Sequence, residues 1–238
     1  PADTEVGCWE DGNVHVVTQN MGPGGIEQGW EHVEAITLRR AQVIFLQDCR
    51  VLDRNRDSVK QDLRRKYPDY QSFLTTRKGV RRGKAYPLTL ITLVLKASEP
   101  ADLIRDMPNV DLTLGAALGR LQIIKVPYPQ AKPWWLINVY QHTAGCASGQ
   151  SQLWTVLLLV LKHLDEEGGT IILGGDFNAC LYDGLRRNYS RGAHGLHTDI
   201  RRADQLFRSS VAADIFRKRA WSGTFQAGAI TWEGPGSR

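Results

Sequence analysis

Apolar residues occur along this chain in short runs that alternate with helix-like patterns. Alternation of apolar and polar residues predicts a strand over residues 13–20, and a continuous apolar run predicts a buried strand over Val43–Gln47. Between them, residues 26–41 carry apolar side chains at helical spacing, which predicts an amphipathic helix. Similar runs predict further strands at residues 72–76, 88–96, 111–116, 119–126, 134–140 and 170–174.

Three later segments show helical patterns. Residues 57–67 are predicted to form a helix with Asp57 or Ser58 as its N-cap, and residues 151–167 a helix with a broad apolar face. Residues 199–209 are predicted as a basic amphipathic helix. Many short strands among few long helices favour sheets covered by helices in one domain, and the sequence contains neither a GxGxxG motif nor a P-loop.

Composition places the chain among globular proteins. Of its 238 residues, 42% are hydrophobic and 23% are charged, which excludes the disordered and collagen-like classes. The longest uncharged apolar run, residues 153–161, is about half of what a membrane span requires, so we expect no membrane partner. Cys8, Cys49, Cys146 and Cys180 match no zinc spacing and are expected to be reduced thiols of an intracellular protein.

The formal net charge of +5 hides an uneven distribution. Residues 39–84 contain fourteen Lys or Arg against five acids, and residues 186–238 contain ten against four, whereas residues 1–38 contain seven acids and no Lys or Arg. Two basic blocks in such a chain favour a polyanion-binding surface, because phosphate contacts dominate non-specific affinity for nucleic acids. The alternative is that these residues lie on solvated helix faces.

Polar residues follow four of the predicted buried strands. Loops at the ends of strands commonly carry binding and catalytic groups. In the last of the four, the two glycines of a GGDFN run allow a sharp turn that aims its Asp and Asn into one cleft. The strand-end residues are Asn20, Gln47, Asp48, Asn138, Tyr140, Asp176 and Asn178.

Taken in this order, the four elements resemble the endonuclease/exonuclease/phosphatase superfamily, which includes apurinic endonucleases and DNase I-like enzymes. GDFNA is its most specific motif, and LQD and NVY stand at family-like separations. The segments FLQDCR, YPDY, INVYQHTA and LGGDFNA look most like the endonuclease domain of non-LTR (LINE-type) retrotransposons. The resemblance extends from Val14 to Trp232 and implies an α+β fold, a four-layer αββα sandwich of the DNase I type.

The resemblance also implies roles for the strand-end residues. Asp48, where the family usually has Glu, and Asn20 would bind a catalytic Mg²⁺ or Mn²⁺, for which carboxylate oxygen is a suitable ligand. Asp176 would orient or deprotonate the attacking water. Asn178 and Tyr140 would donate hydrogen bonds to the charge that develops on the scissile phosphate.

The sequence departs from the family pattern in two places. His142-Thr143 stand where the family commonly has Pro-Asn, although Thr143 can still donate to a phosphate. The family's carboxyl-terminal Asp and its final Asp-His pair have no match before Arg238. We therefore expect residues 1–238 to form a single domain that lacks the last one or two strands, and we expect Pro1 to mark a piece of something longer.

The two basic blocks supply candidate nucleic-acid contacts. One group is expected in a loop between two strands, near the rim of the cleft, and the other directly follows GDFNA. The group after GDFNA includes a tyrosine that is suited to base stacking, and the alternative for both groups is a solvated loop. The candidates are Arg77, Lys78, Arg81, Arg82, Lys84, Arg186, Arg187, Tyr189 and Arg191.

Three hypotheses about function follow from these features. The first is a divalent-metal-dependent endonuclease that nicks DNA to prime reverse transcription, located in the nucleus, with a reverse transcriptase domain in the parent polypeptide. The second keeps the fold but changes the substrate, as in a phosphatase or a deadenylase, and RNA remains an alternative to DNA. The third is a catalytically inactive relative that serves as a nucleic-acid-binding or structural module in a ribonucleoprotein.

Overall fold

Eight strands and three helices make up the part of the chain that the computed structural model describes, which is residues 14–37, 41–81, 84–96, 99–115, 117–127, 132–142 and 146–178. The strands are β1 (Val16–Asn20), β2 (Val43–Gln47), β3 (Tyr70–Arg81), β4 (Lys84–Leu95), β5 (Asp102–Ile104), β6 (Leu121–Val126), β7 (Trp134–Tyr140) and β8 (Thr170–Asp176). The helices are α1 (Gly25–Thr37), α2 (Arg56–Lys66) and α3 (Ala147–Glu167).

The strands form two mixed sheets of four strands each. The first sheet has the order β1-β2-β4-β3, and the second has the order β5-β6-β7-β8. Each sheet contains one parallel pair, β1 with β2 and β7 with β8, while its other neighbours are antiparallel. Helix α1 connects the first parallel pair and α3 the second, since parallel neighbours need a crossover connection. The carboxyl ends of paired parallel strands therefore lie at the same edge of each sheet.

Strand β2 contributes side chains to two different cores. Val43 and Phe45 pack with Leu136 of the second sheet in the core between the sheets. Ile44 and Leu46 point to the opposite face and belong to the core under the helices of the first sheet. Because successive side chains of a strand point to opposite faces, a continuous apolar run is required where both faces are covered.

Helices cover the outer face of both sheets. Ile26 of α1 and Leu63 of α2 lie in the outer core of the first sheet, and Leu157 and Leu164 of α3 pack with Ile137 of the second. The layer order is therefore helix, sheet, sheet, helix. The predicted four-layer αββα sandwich is confirmed within the described residues. None of the described helices has the length and apolar character needed to cross a membrane.

A hydrogen-bonded polar cluster crosses the core between the sheets. Asn138 of β7 is fully buried, accepts from Gln47 Nε2 at 2.8 Å and donates to the main-chain oxygen of Ile91 at 3.2 Å. Thr92 Oγ1 of β4 donates to Gln122 Oε1 of β6 at 2.6 Å across the same interface. A shift of one sheet on the other would leave these buried groups without partners, so the cluster fixes their relative position.

Two glycines at the end of β8 are required by close packing. A Cβ at Gly174 would lie 2.6 Å from the Phe45 ring, and a Cβ at Gly175 would clash with the main-chain oxygen of Val139. Gly175 also has a φ of +146°, a backbone conformation that L side chains rarely adopt. The glycines thus allow β8 to pack closely and bring Asp176 to the end of the core.

The strand predicted over residues 111–116 is wrong. These residues form turns as far as they are described. Asp111 Oδ1 accepts hydrogen bonds from the Thr113 hydroxyl at 2.6 Å and from the Thr113 main-chain nitrogen at 2.9 Å. The same two bonds lower the pKa of Asp111. A local side-chain turn competes here with ladder pairing, which the alternation of residues does not reveal.

Other predicted boundaries differ at the ends of elements. Helix α2 begins at Arg56 after Asn55, so neither Asp57 nor Ser58 is its N-cap. Strand β5 had no predicted counterpart, because three residues are too few to show a period. The helix predicted over 199–209 and the predicted truncation fall on residues after 178, outside the described part of the chain.

Candidate active site

The carboxyl ends of four strands meet at one end of the core between the sheets. Asn20 ends β1, Asp48 follows β2, Tyr140 ends β7 and Asp176 ends β8. Tyr140 and Asp176 are register partners in the parallel pair. Asn20 Nδ2 donates to Asp176 Oδ2 at 2.6 Å, although 156 residues separate the two positions in sequence. The structure thus brings together predicted site residues from both sheets.

Hydrogen-bond donors hold both carboxylate oxygens of Asp176. Oδ2 accepts from Asn20, and Oδ1 accepts from the main-chain nitrogen of Asn178 at 2.9 Å. Asn178 adopts a φ of +46°, and its Nδ2 donates to the main-chain oxygen of Gln141 at 2.8 Å. Gln141 in turn donates its main-chain N–H to the Asp176 main-chain oxygen at 2.8 Å. An ionised carboxylate has about four lone-pair sites, so Asp176 keeps acceptor capacity for a further donor.

The Asp48 carboxylate is buried and paired with a cation of its own loop. Arg50 Nε donates to Oδ1 at 3.2 Å, and Arg50 Nη2 donates to Oδ2 at 3.0 Å. The Tyr86 hydroxyl donates a short hydrogen bond to Oδ1, and the guanidinium carbon lies 4.7 Å from the centre of the Tyr86 ring. Burial alone would lower the pKa of Arg50, but its hydrogen bond and attraction to Asp48 raise it. The guanidinium therefore stays charged against Asp48.

The loop after β2 is bent so that Arg50 folds back onto Asp48. Both residues have positive φ angles, +54° and +52°. The main-chain nitrogen of Cys49 donates to the Thr89 main-chain oxygen at 3.1 Å, which ties the loop to β4. A Cβ at Gly25 would lie 2.9 Å from the Cβ of Arg50, so glycine makes room for this side chain. Left-handed backbone at two non-glycine residues persists only where surrounding contacts determine it.

Tyr140 is connected to Asp48 through a second tyrosine. Its ring packs with Leu88 and Leu90, and Tyr86, which donates to Asp48, packs against the same cluster. Burial, followed by the nearby Asp48 charge, raises the pKa of Tyr140 well above its ordinary value.

Raising the pH above about 10 is expected to destabilise the fold through Tyr140. The tyrosine of the unfolded chain ionises there while the buried one stays protonated. The unfolded state then binds fewer protons, and the free energy of unfolding falls as the pH rises. Urea unfolding at about pH 8 and about pH 11 measures this loss, which should be smaller in Tyr140→Phe. Some loss should remain because burial raises the pKa of Tyr67 to about 12. An equal loss in Tyr140→Phe would contradict the assignment.

A half-buried cation lies beside Tyr140. The Arg120 guanidinium carbon is 5.0 Å from the centre of the Tyr140 ring, and Nη1 donates to the main-chain oxygens of Tyr140 and Gln141 at 3.0 and 3.1 Å. Burial lowers the pKa of Arg120, although nearby tyrosine, cysteine and aspartate side chains oppose the shift. Its Nε is buried without a hydrogen-bond partner. Arg120 thus holds the end of β7 and adds positive charge near the site.

Sequence reasoning missed the roles of Arg50, Tyr86 and Arg120. The sequence could have drawn attention to Arg120, because it is a single cation directly before an apolar strand. A cation in such a position is withdrawn from solvent only where it has partners. Arg50 lies two residues after Asp48, but only the bent loop shows that they pair. Tyr86 has no local signal, because its acceptor Asp48 is 38 residues away in sequence.

The predicted metal ligands, Asp48 and Asn20, do not present an open ligand set. Both Asp48 oxygens accept from Arg50. Asn20 turns its amide nitrogen to Asp176, and its oxygen accepts from the Gly22 main-chain nitrogen at 2.8 Å. Within the described ranges, no three His, Cys, Asp or Glu side chains are grouped to hold a metal ion. Since Mg²⁺ and Mn²⁺ need several oxygen ligands, these residues do not fit one while Arg50 is paired, and the metal assignment stays a prediction.

The basic residues Arg77, Lys78, Arg81 and Lys84 lie in strands, so their predicted placement in a loop is wrong. The first three belong to β3 and Lys84 belongs to β4, with Arg81 and Lys84 as register partners. Antiparallel pairing satisfies the main-chain hydrogen bonds of both strands up to the turn, and it does so for polar and apolar side chains alike. Polarity of the side chains therefore does not mark the end of these strands.

Residues 76–89 form an arm that we call the basic hairpin. Pairing of β4 with β2 ends at Ile91, whereas pairing of β4 with β3 continues through this whole segment. Arg77 donates to the main-chain oxygen of Gly115, and Lys78 Nζ lies 3.5 Å from Asp53 Oδ2. Because Tyr86 belongs to the same arm and contacts Asp48, the basic hairpin begins beside the candidate site.

The segment after Tyr140 is described only in part. The main-chain nitrogen of His142 donates to Gln141 Oε1 at 2.8 Å, and its main-chain oxygen accepts from Gln150 Nε2 at 2.8 Å. The bond from Gln150 ties the end of β7 to the first turn of α3. The predicted contacts that lie outside the described residues are Thr143, Arg82, Arg186, Arg187, Tyr189 and Arg191.

Comparison with known proteins finds structural similarity only. No protein-family profile and no curated protein matches the sequence. The AP endonuclease LMAP from Leishmania major is 18% identical with a TM-score of 0.59, covering 86% of this chain and 69% of that chain. Truncated TDP2 from Caenorhabditis elegans is 20% identical with a TM-score of 0.47, covering 76% and 67%. An endonuclease/exonuclease/phosphatase family protein from Leptotrichia buccalis is 14% identical with a TM-score of 0.49, covering 80% and 73%.

The similarity to the Leishmania enzyme establishes a shared fold. Its alignment extends over most of this chain, although fewer than one residue in five is identical. Identity at this level carries the architecture of paired sheets between helices but no residue roles. The chemistry of the site must therefore be read from the contacts of Asp176, Asp48 and Tyr140.

Proposed function

We propose that this chain, which has the endonuclease/exonuclease/phosphatase fold, hydrolyses a phosphodiester bond of DNA as the endonuclease domain of a non-LTR retroelement. The observation that carries the proposal is the Asp176 carboxylate, held by Asn20 and Asn178 where strands of both sheets end. A fixed carboxylate beside polar donors and two arginines suits hydrolysis of an anionic ester.

Asp176 acts as the general base in the proposed reaction. A water molecule that donates to its remaining acceptor sites is oriented by the same contacts that hold the carboxylate. The water oxygen attacks phosphorus, its proton passes to Asp176, and the bond from phosphorus to the leaving oxygen breaks. The leaving oxygen takes a proton from solvent.

Donors near Asp176 stabilise the charge on the phosphate. One Nδ2 proton of Asn178 is bonded to Gln141, and the amide has a second proton for a phosphate oxygen. Burial raises the pKa of Tyr140, so its hydroxyl stays protonated and can donate to the phosphate. Arg120 adds positive charge next to Tyr140 without a proton transfer. Donors that are already positioned stabilise developing charge most.

The proposed requirement for Mg²⁺ or Mn²⁺ rests only on the resemblance of the sequence motifs to the endonuclease/exonuclease/phosphatase superfamily. When bound, either ion supplies neutralisation of charge on the phosphate and on the leaving oxygen. Asp48 and Asn20 are the described residues that the resemblance assigns to it, and Asp48 is available only if Arg50 withdraws.

DNA is the proposed partner because of the charge beside the site. Residues 39–84 carry the excess of Lys and Arg, and the basic hairpin within this segment begins next to Asp48. Lys78 on this hairpin is largely exposed, and its pair with Asp53 is a weak surface contact. The proposed nuclear location and the reverse transcriptase domain of the parent polypeptide rest on the sequence motifs FLQDCR, INVYQHTA and LGGDFNA.

Nicking of supercoiled plasmid by the 238-residue chain tests the proposed function. Conversion to open circles in the presence of Mg²⁺ or Mn²⁺ is expected, with a phosphomonoester such as p-nitrophenyl phosphate left intact. Hydrolysis of the monoester alone would support the phosphatase alternative. Failure to cleave any phosphodiester, in DNA or RNA, would overturn the proposal.

Neutralising Lys78 is expected to weaken DNA binding in a salt-dependent way. Lys78→Gln should lower affinity for duplex DNA several-fold at low salt and reduce the slope of log affinity against log salt by about one. Fluorescence anisotropy over a range of salt concentrations measures both. Lys162→Gln, at an exposed position of α3, is the matched control and should leave the slope unchanged. Equal slopes in both variants would remove the basic hairpin from the DNA interface.

A binding module without catalysis is the second candidate. The observation that favours it is the closed contact among Arg50, Asp48 and Tyr86, which leaves the predicted metal carboxylate engaged. DNA affinity with a steep salt dependence, together with absence of cleavage, distinguishes this candidate from the hydrolase.

A further inference from the structure

The guanidinium of Arg50 occupies the carboxylate that the sequence resemblance assigns to a metal ion. Its Nε and Nη2 each bind one Asp48 oxygen, at 3.2 and 3.0 Å. The Asp48 side chain is only 6% exposed and that of Arg50 is 25% exposed. A two-pronged contact of this kind matches the planar geometry of both groups and is stronger than a single-point ion pair.

The surroundings hold the pair in place from several sides. Tyr86 stacks on the guanidinium and donates its hydroxyl proton to Asp48. The main-chain nitrogen of Val51 donates to Thr89 Oγ1 at 3.1 Å, which anchors the loop directly after Arg50. An exposed ion pair opens at little cost, but this one is fixed by stacking, by a third hydrogen bond and by loop geometry.

We propose that Arg50 is the resident cation of the site and replaces a divalent metal ion at Asp48, so that the guanidinium and a metal ion exclude each other there. A metal ion at Asp48 would have to displace a guanidinium that contacts both oxygens, against the repulsion of two positive charges. Asn20 does not replace this carboxylate, because it offers only a neutral amide oxygen that already accepts from Gly22, and its nitrogen faces Asp176. The proposal rests on the proposed hydrolase for its significance, but it concerns cation binding at Asp48 alone. It follows that nicking with Mg²⁺ or Mn²⁺ does not require an ion at Asp48.

Arg50→Gln is the variant that separates the two cations. Glutamine retains a polar side chain with an amide donor but carries no charge, so Asp48 is left buried without a cation. Mn²⁺ should then bind at Asp48 at least about tenfold more tightly than in the unmodified chain, because the ion no longer competes with a positively charged guanidinium for the carboxylate. Asp48→Asn in the Arg50→Gln background should remove this gain.

Paramagnetic broadening by Mn²⁺ in NMR spectra of the full 238-residue chain measures the effect without reference to hydrolysis. The amide signals of Gly25 and Cys49, which flank Arg50 in space and in sequence, should broaden in Arg50→Gln and stay sharp in the unmodified chain. Arg65→Gln removes a surface pair with Asp62 and is the matched control, with no expected change. Loss of nicking activity would leave this readout untouched, so the two proposals can fail separately.

The unmodified chain provides a second readout if Arg50→Gln fails to fold. The Nε–H signal of Arg50 should be protected by its bond to Asp48 and should stay unchanged when Mg²⁺ is added to millimolar concentration. Movement of this signal with Mg²⁺, or Mn²⁺ binding near Cys49 in the unmodified chain as tight as in Arg50→Gln, would overturn the proposal.

Discussion

Replacing Asp176 by Asn is expected to lower the rate of plasmid nicking by about a thousandfold or more while the fold persists. Asparagine has the same shape, but it cannot accept the proton of the attacking water. Asp176 accepts from Asn20 on one oxygen and from the Asn178 main-chain nitrogen on the other. An amide at this position must turn its own donor toward one of these two donors, so the water also loses its fixed orientation. Single-turnover nicking of supercoiled plasmid measures the change.

Asp102→Asn is the matched control for this experiment. Asp102 is exposed and begins β5, at the edge of the same sheet as Asp176, so the charge change is equal but remote from the strand ends. Its nicking rate should match that of the unmodified chain. Urea midpoints of both variants show whether a loss of rate is a loss of fold. Retention of more than about a tenth of the rate in Asp176→Asn would exclude Asp176 as the general base.

Replacing Gly175 by Ala is expected to reduce the free energy of unfolding by about 3 kcal/mol or more, or to prevent folding. The added Cβ would clash with the main-chain oxygen of Val139 in the paired strand β7, and main chain cannot yield as a flexible side chain can. The φ of +146° adds strain for any L residue. Relief would require β8 to separate from β7 at the pair that positions Tyr140 and Asp176. Urea or thermal unfolding measures the change.

Gly22→Ala separates backbone strain from the clash. Gly22 also has a positive φ, +65°, but nothing lies within 4 Å of the Cβ that alanine would add. Its cost should therefore be about 1 kcal/mol, the strain of a left-handed alanine alone. A cost for Gly175→Ala no larger than this would show that the two strands adjust to the methyl group, and the packing explanation would be wrong.

Local pattern predicted the interior elements of the fold because burial leaves a signal along the sequence. The predicted strands over Val43–Gln47 and residues 134–140 match β2 and β7, whose apolar residues face a covered layer on both sides. The basic hairpin was predicted too short, because its strands are held by main-chain pairing where the side chains are polar. The strand predicted from Asp111 was wrong for the opposite reason, since hydrogen bonds of the Asp111 side chain to Thr113 favour a turn over strand pairing.

The candidate site could be predicted only as far as strand ends identify it. Asn20, Asp48, Tyr140 and Asp176 were found because each ends or follows a predicted strand, and Asn20 and Asp176 prove to be hydrogen-bonded. The partner of Asp48 was not found. Pairing with Arg50 depends on two positive φ angles and on Tyr86 from a distant strand, and neither is visible in residue order.

The sequence by itself determined that sheets are covered by helices in this protein, because the period of apolar residues decides which faces must be buried. The order of the four layers was predicted from the resemblance of its motifs. The sequence also determined which residues stand at the strand ends, since GGDFN and LQD follow directly from the buried runs. Only the tertiary structure decided the electrostatic state of the site. Asp48, Arg50 and Tyr86 meet through a bent loop and a hairpin arm. The energy of interaction between charges depends on their distance, and the pattern of apolar and polar residues does not specify that distance.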